Sequence, residues 1–244
     1  MNVRTMNWFL RVVFRIACRI TPREFKAIPR SGPLILIGNH INFLEAPVIL
    51  PFLDNPDVVG LAKQETWDNP LLGYLFTQWK AIPIDRSMVD REAFRRCEEA
   101  LRDNKILAVA PEGTRSKTGQ MLPGKPGVAL LALRSGAPVL PVGFYGHEDF
   151  WLNFKHLRRT NFHMKTGKPF RLNVPLSSLS DRDVRQRVTD EMMYKIAEQL
   201  PEKYRGYYAF QSKIEYKYLV DDDSLLTKTR DTAGFRTTPL AEAG

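Results

Sequence analysis

Three short stretches carry side chains that could do chemistry together. Asn39-His40-Ile41-Asn42-Phe43-Leu44-Glu45 places a histidine five positions before a carboxylate. A carboxylate at that remove can accept the N–H of an imidazole, fix its tautomer and leave the other nitrogen free as a general base. By itself such a pair is more often a structural histidine beside an acid. The second stretch is Pro111-Glu112-Gly113-Thr114-Arg115-Ser116. Gly113 lets backbone amides approach a ligand closely, and Arg115 offers a planar fork suited to a phosphate. Glu112 could position that arginine or a neighbour; the plainer alternative is a surface turn in which the two simply pair. The third, Ile82-Pro83-Ile84-Asp85-Arg86, supplies another arginine. Two arginines, each just past an apolar run, suggest one anionic pocket, although either could be a solvated charge.

Other chemistries find little support. There is no G-x-S-x-G elbow to present a serine nucleophile. The two cysteines, Cys18 in an apolar run and Cys97 in a polar, helix-patterned one, suggest neither an activated thiol nor a disulfide framework, and their number fits a reducing compartment. The four histidines, His40, His147, His156 and His163, lack metal-ligand spacing, so no metal site is expected.

The elements that must position these residues are legible as apolar runs. Residues 33–38, 58–62, 82–84, 106–110 and 139–144 read as short buried strands, with 162–166 a sixth. Residues 88–104, 127–135 and 181–200 repeat apolar side chains at helical spacing, with Asp181 near a cap and Gly136 as a stop. Strands alternating with helices predict an α/β fold: a single mixed, partly parallel sheet flanked by helices. His40, Arg86 and the 111–116 stretch all follow strands, and in α/β sheets sites form at strand ends.

The N-terminal run, residues 6–20, places Arg11, Arg15 and Arg19 four apart among apolar side chains. It is shorter than the roughly 20 apolar residues of a spanning helix, and its charge does not precede the apolar part as in a signal peptide. An amphipathic helix lying in a lipid interface is expected, with the arginines toward headgroups and Trp8 and Phe9 in the apolar layer. The alternative is a helix packed on the protein's own core. The organisation expected is a membrane-interface segment over residues 1–30, an α/β domain over 31–218, and a loosely ordered tail over 219–244, where Asp221-Asp222-Asp223 and a Thr-, Gly- and Ala-rich end follow. The formal net charge of +9 calls for an acidic partner. Nucleic acid is the weaker choice, because the basic residues are dispersed and form no recognised nucleic-acid motif.

In order, N-H-x-x-x-x-E, I-P-I-D-R, P-E-G-T-R-S and A-P-V-L-P-V resemble the four-block pattern of the glycerolipid acyltransferase family that includes the 1-acyl-glycerol-3-phosphate acyltransferases. The resemblance spans residues 33–144 and is weaker beyond. It implies that His40 is the catalytic base and Glu45 its orienting partner. It further implies that Arg86, Glu112, Gly113, Thr114 and Arg115 hold a glycerol phosphate and that Pro141 shapes an acyl pocket. Two departures stand out: Glu45 where the family usually has Asp, and Lys80 where the second block often begins with glycine. The implied reaction moves a fatty acyl group from a thioester to the free hydroxyl of lysophosphatidic acid, giving phosphatidic acid in phospholipid biosynthesis. Another lysophospholipid, glycerol 3-phosphate, or an amino- or glycolipid are alternative acceptors; a non-catalytic membrane adaptor ranks lower. No tightly bound cofactor is expected; acyl-CoA or an acyl-carrier-protein thioester is the co-substrate. The expected partners are the lysolipid, the acyl donor, an anionic membrane surface and, for one donor, acyl carrier protein. The expected location is a peripheral or monotopic association with the membrane, facing the cytoplasm.

Overall fold

The computed structural model describes residues 2–21, 24–209 and 214–224. Its elements run in the order α1 (Val3–Ala17), β1 (Cys18–Ile20), β2 (Leu34–Gly38), α2 (Glu45–Leu53), β3 (Val58–Lys63), α3 (Pro70–Gln78), β4 (Ile82–Ile84), α4 (Arg91–Arg102) and β5 (Ile106–Val109). Then come α5 (Gly127–Ser135), β6 (Val139–Tyr145), α6 (Phe150–Lys155), β7 (Thr160–Thr166), β8 (Phe170–Leu172), α7 (Arg182–Ala197) and β9 (Leu219–Asp221).

The strands form one mixed sheet in the order β1-β7-β6-β2-β5-β3-β4, with β8 paired to β6 and β9 to β8. Five neighbouring strands, β6, β2, β5, β3 and β4, run parallel. Strand β7 returns antiparallel to β6. The central strand β2 is buried at every position, which is why it reads as an uninterrupted apolar run and not as an alternation. Its side chains still divide by period two. Ile35 and Ile37 enter a core with Leu101 of α4, Leu131 of α5 and Met192 of α7. Leu34 and Leu36 enter a second core with Phe14 of α1, Val48 of α2 and Leu75 of α3. Each such buried side chain contributes about 1.5–3 kcal/mol, so the sheet is fastened on both faces.

Local signals set the ends of the helices. The Asp90 side chain accepts from the Ala93 N–H at 2.8 Å, so α4 begins three residues later than the apolar spacing suggests. Asp181 caps α7 by accepting from Asp183 and Val184. Gly136 closes α5 at φ 61°, a conformation a side chain disfavours.

Both ends of the chain depart from expectation. The N-terminal helix stops at Ala17, because Cys18 turns extended and residues 18–20 pair in parallel with Thr160–Phe162. Two of its arginines contact the protein: Arg11 pairs with Asp54 at 3.0 Å, and Arg15, itself exposed, lies over the Phe52 ring. Met6, Asn7 and Phe14 are buried, while Trp8, Phe9, Val12, Val13 and Ile16 are exposed. At the other end, residues 219–221 pair with β8, so the sheet continues past the boundary placed at 218. The rest of the expected tail, 225–244, lies outside the described residues. No helix among the described residues is long and apolar enough to cross a membrane.

Candidate active site

Because β2, β5, β3 and β4 are parallel, their C-terminal ends lie along one edge of the sheet, and each motif hangs from one of those ends. His40 follows β2, the 111–116 turn follows β5, and Arg86 follows β4. Hydrogen bonds tie the first two together. The Ser116 N–H donates to the His40 carbonyl at 2.8 Å, and the His40 N–H donates to Glu112 Oε1 at 3.2 Å.

The histidine and its acid meet as expected. Glu45 opens α2, and its Oε2 lies 3.3 Å from His40 Nδ1, an ion-pair distance that falls short of a well-aligned hydrogen bond. The other oxygen, Oε1, accepts from the N–H groups of Ile41 at 2.7 Å and Asn42 at 3.0 Å. Burial would raise the Glu45 carboxyl, but the hydrogen bond from His147 and the close approach of the His40 ring outweigh it, and the group is held well below the ordinary range. It is therefore a fixed anion behind the ring. With Nδ1 turned inward to that anion, the ring is 21% exposed and its Nε2 has no protein hydrogen-bond partner among the described residues, an arrangement compatible with a base.

Sequence reasoning missed the second histidine. His147, fully buried, lies with Nε2 2.9 Å from Glu45 Oε1. An ionised carboxylate only accepts, so His147 donates from Nε2, and its Nδ1 is left without a partner. Glu45 thus bridges two imidazoles. A signal was available: Gly146-His147 follows β6 as Gly38-Asn39-His40 follows β2. Two asparagines also went unread. Asn39 closes on the backbone of Phe144, donating to its carbonyl at 2.9 Å and accepting its N–H at 2.7 Å. Asn42 donates to the His147 carbonyl at 2.6 Å.

The anionic side of the site is partly as expected. Arg86 lines a cavity of about 460 Å³ with Lys63, Gln64, Glu65, Asp68, Asp85 and Ser87, so its cations share the wall with three carboxylates. Burial lowers its pKa, and the charge of Arg115 lowers it further, so the two guanidinium groups act on each other across the loops. Thr114 and Arg115 are exposed at the tip of the 111–116 turn. Gly113 holds φ 67°, and a Cβ there would meet the Lys125 side chain at 3.0 Å. That lysine, unnoticed in the sequence, adds a cation beside the turn.

Two residues differ from the roles the resemblance implied. Glu112 is 2% exposed, and its oxygens accept from the His40 and Leu122 N–H groups. It ties the two loops together through these bonds. Burial pushes its carboxyl up to about 8 despite those hydrogen bonds. Pro141 sits inside β6 opposite Ile37, with its carbonyl accepting from Gly167, well within the sheet. The Lys80 departure has a local explanation. It holds φ 54° in the turn from α3 to β4, where glycine would be unstrained. Among the described residues, no group of three or more His, Cys, Asp or Glu side chains could hold a metal.

Fold and site define an α/β protein whose oriented histidine and arginines share the C-terminal edge of a parallel sheet. The chain belongs to the acyltransferase family, whose model matches residues 19–145. A 1-acyl-sn-glycerol-3-phosphate acyltransferase of Limnanthes douglasii is 39% identical over 121 residues, 48% of this chain and 42% of that protein. One from Pseudomonas aeruginosa is 30% identical over 147 residues, 59% of this chain and 55% of that protein. The chain thus spans about half the length, or less, of these curated relatives. The crystal structure of the 1-acyl-sn-glycerophosphate acyltransferase PlsC from Thermotoga maritima shares the fold, with a TM-score of 0.57 at 24% identity, covering 86% of this chain and 81% of that one.

Proposed function

We propose that the protein is a 1-acyl-sn-glycerol-3-phosphate O-acyltransferase. The observation that carries the reading is the His40 ring, backed by the buried Glu45 anion, on the same sheet edge as Arg86 and Arg115. The relatives named above point to lysophosphatidic acid as acceptor. Its phosphate suits the two guanidinium groups and Lys125.

In the reaction, His40 Nε2 takes the proton of the acceptor hydroxyl as the oxygen attacks the thioester carbonyl. General-base help of this kind contributes roughly 10²–10⁴ in rate. The tetrahedral intermediate collapses with cleavage of the C–S bond, and the departing thiolate takes the proton from the imidazolium. The ester product and a free thiol result, with no acyl-enzyme. The donor is acyl-CoA or an acyl-carrier-protein thioester. The exposed apolar face of α1, Trp8 through Ile16, sets the protein on an anionic membrane as a peripheral enzyme facing the cytoplasm.

The test is incubation with long-chain acyl-CoA and lysophosphatidate, measuring thiol release and phosphatidate together, against a panel of other lysolipids and glycerol 3-phosphate. Thiol release without phosphatidate, or preference for another acceptor, would refute the assignment.

A further inference from the structure

Helix α6 and the turn after it face solvent in a way that water does not favour. Trp151, Leu152 and Phe154 are each more than half exposed, and Leu157 is 95% exposed. Leu157 also holds φ 54°, a left-handed conformation that a non-glycine side chain disfavours. An apolar side chain is therefore held out at the tip of a strained turn.

The charge along and after this element is of one sign: from residue 150 to residue 180 the chain has six Lys and Arg residues and no Asp or Glu. Glu148 and Asp149 are confined to the start of α6, away from the tip at Leu157 in sequence. Arg171 is taken by Asp222, and Arg159 donates to the Arg15 and Cys18 carbonyls at 2.7 Å. Lys155 and Arg158, either side of Leu157, are exposed. Apolar tips rimmed by cations are the pattern of an interfacial lipid contact.

Two contacts give the patch its place. Arg159 fastens it to the end of α1, whose outward face is apolar. Trp151 stacks on Phe43 at 5.1 Å between centroids, and Phe43 lies in the loop between His40 and Glu45. The patch is thus one ring contact from the candidate base.

We propose that α6 and its following turn form a second membrane-seating element, inserting Leu152, Phe154 and Leu157 into an anionic phospholipid surface while Lys155 and Arg158 meet its phosphates. It rests on the reading of the protein as an enzyme of lipid substrates, and gives that site a docking surface separate from α1. Seating this turn beside the Phe43 stack brings the membrane surface to the loop that must receive a lysolipid from it.

The test uses the full chain with a polarity-sensitive fluorophore on Leu157→Cys. The native Cys18 and Cys97 are buried, and burial pushes their thiols up to about 11 and about 12, so labelling is selective. With vesicles of phosphatidylcholine containing phosphatidylglycerol, the emission should shift to the blue; with phosphatidylcholine alone it should shift far less. Leu152→Ser/Leu157→Ser should weaken flotation with the anionic vesicles on the order of tenfold or more. Lys155→Glu/Arg158→Glu should weaken it roughly tenfold, and only where phosphatidylglycerol is present. Thermal melting and turnover of detergent-dispersed lysophosphatidate by the leucine variant should match the unmodified chain. A probe that stays at its aqueous emission while the chain floats would overturn the proposal in favour of α1 alone, as would full vesicle affinity in the leucine variant. A blue shift that appears with protein concentration, without vesicles, would overturn it in favour of a second copy. Loss of all lysophosphatidate turnover alongside intact anionic-vesicle binding through the turn would instead sink the proposed reaction and leave the docking surface standing.

Discussion

Glu45 Oε1 and His147 Nε2 are 2.9 Å apart in a fully buried contact, with the other oxygen of the same carboxylate turned to His40. His147 thereby holds the residue that holds the base. Replacing it with Leu removes the donor and leaves a buried carboxylate short of a partner, a change of about 1–3 kcal/mol. His147→Leu should lower kcat about 10- to 100-fold with little change in KM, by the same principle. His147→Gln, whose amide can donate from a similar position, should recover much of the loss. Equal damage from Leu and Gln in a folded protein would show that the hydrogen bond is not what matters. Glu45→Gln should cost roughly 10²-fold or more through the His40 tautomer, and an unchanged rate would remove Glu45 from the mechanism.

Arg86 and Arg115 come from different strand ends yet act on one another electrostatically. If both grip one phosphate, Arg86→Ala or Arg115→Ala should raise KM for lysophosphatidate about 10- to 100-fold, the scale of a charge-assisted hydrogen bond. KM for the acyl donor should change less. The double variant should show less than the sum of the two losses. Independent, additive effects would indicate separate partners.

Glu112 links pH to stability. Its carboxyl titrates near 4.5 when free and at about 8 in the fold. The folded state therefore retains a proton that the unfolded chain has released across that window. Its contribution is full below pH 4.5 and is lost as pH rises through about 8. The unfolding free energy from denaturant titrations should fall over this range by an amount on the order of a few kcal/mol. Glu112→Gln should flatten this dependence. A Gln variant with the parent's full slope would place the titrating group elsewhere.

The approach to His40 is sterically tight. A Cβ on Gly38 would come 2.5 Å from the Phe144 ring, so Gly38→Ala should destabilise by about 1–3 kcal/mol. Asn39→Leu removes both of its bonds to the Phe144 backbone, and should cost about 2–6 kcal/mol, the sum expected for two orphaned buried groups. Urea titration reads both. A neutral Asn39→Leu would mean that the β2 and β6 ends do not depend on that clasp.

Much of the fold is legible along the chain because local chemistry decides it. The apolar run over 34–38 can only be a strand buried on both faces, Asp181 and Gly136 mark helix ends by their own geometry, and His40 and Glu45 are near enough in sequence to meet across one turn. What the chain does not display are pairings whose partners lie far away. Cys18 joins Thr160 in the sheet, Leu219 joins Leu172, and His147 reaches Glu45 across 102 positions. A helical stripe of arginines likewise does not say what it will meet; Asp54 pairs with Arg11, and the Phe52 ring lies under an exposed Arg15. Spacing and side-chain type determine the elements and the base. Only the closing of the sheet, which brings distant strand ends to one edge, decides which groups surround that base, because electrostatic and hydrogen-bond partners are chosen by distance in space.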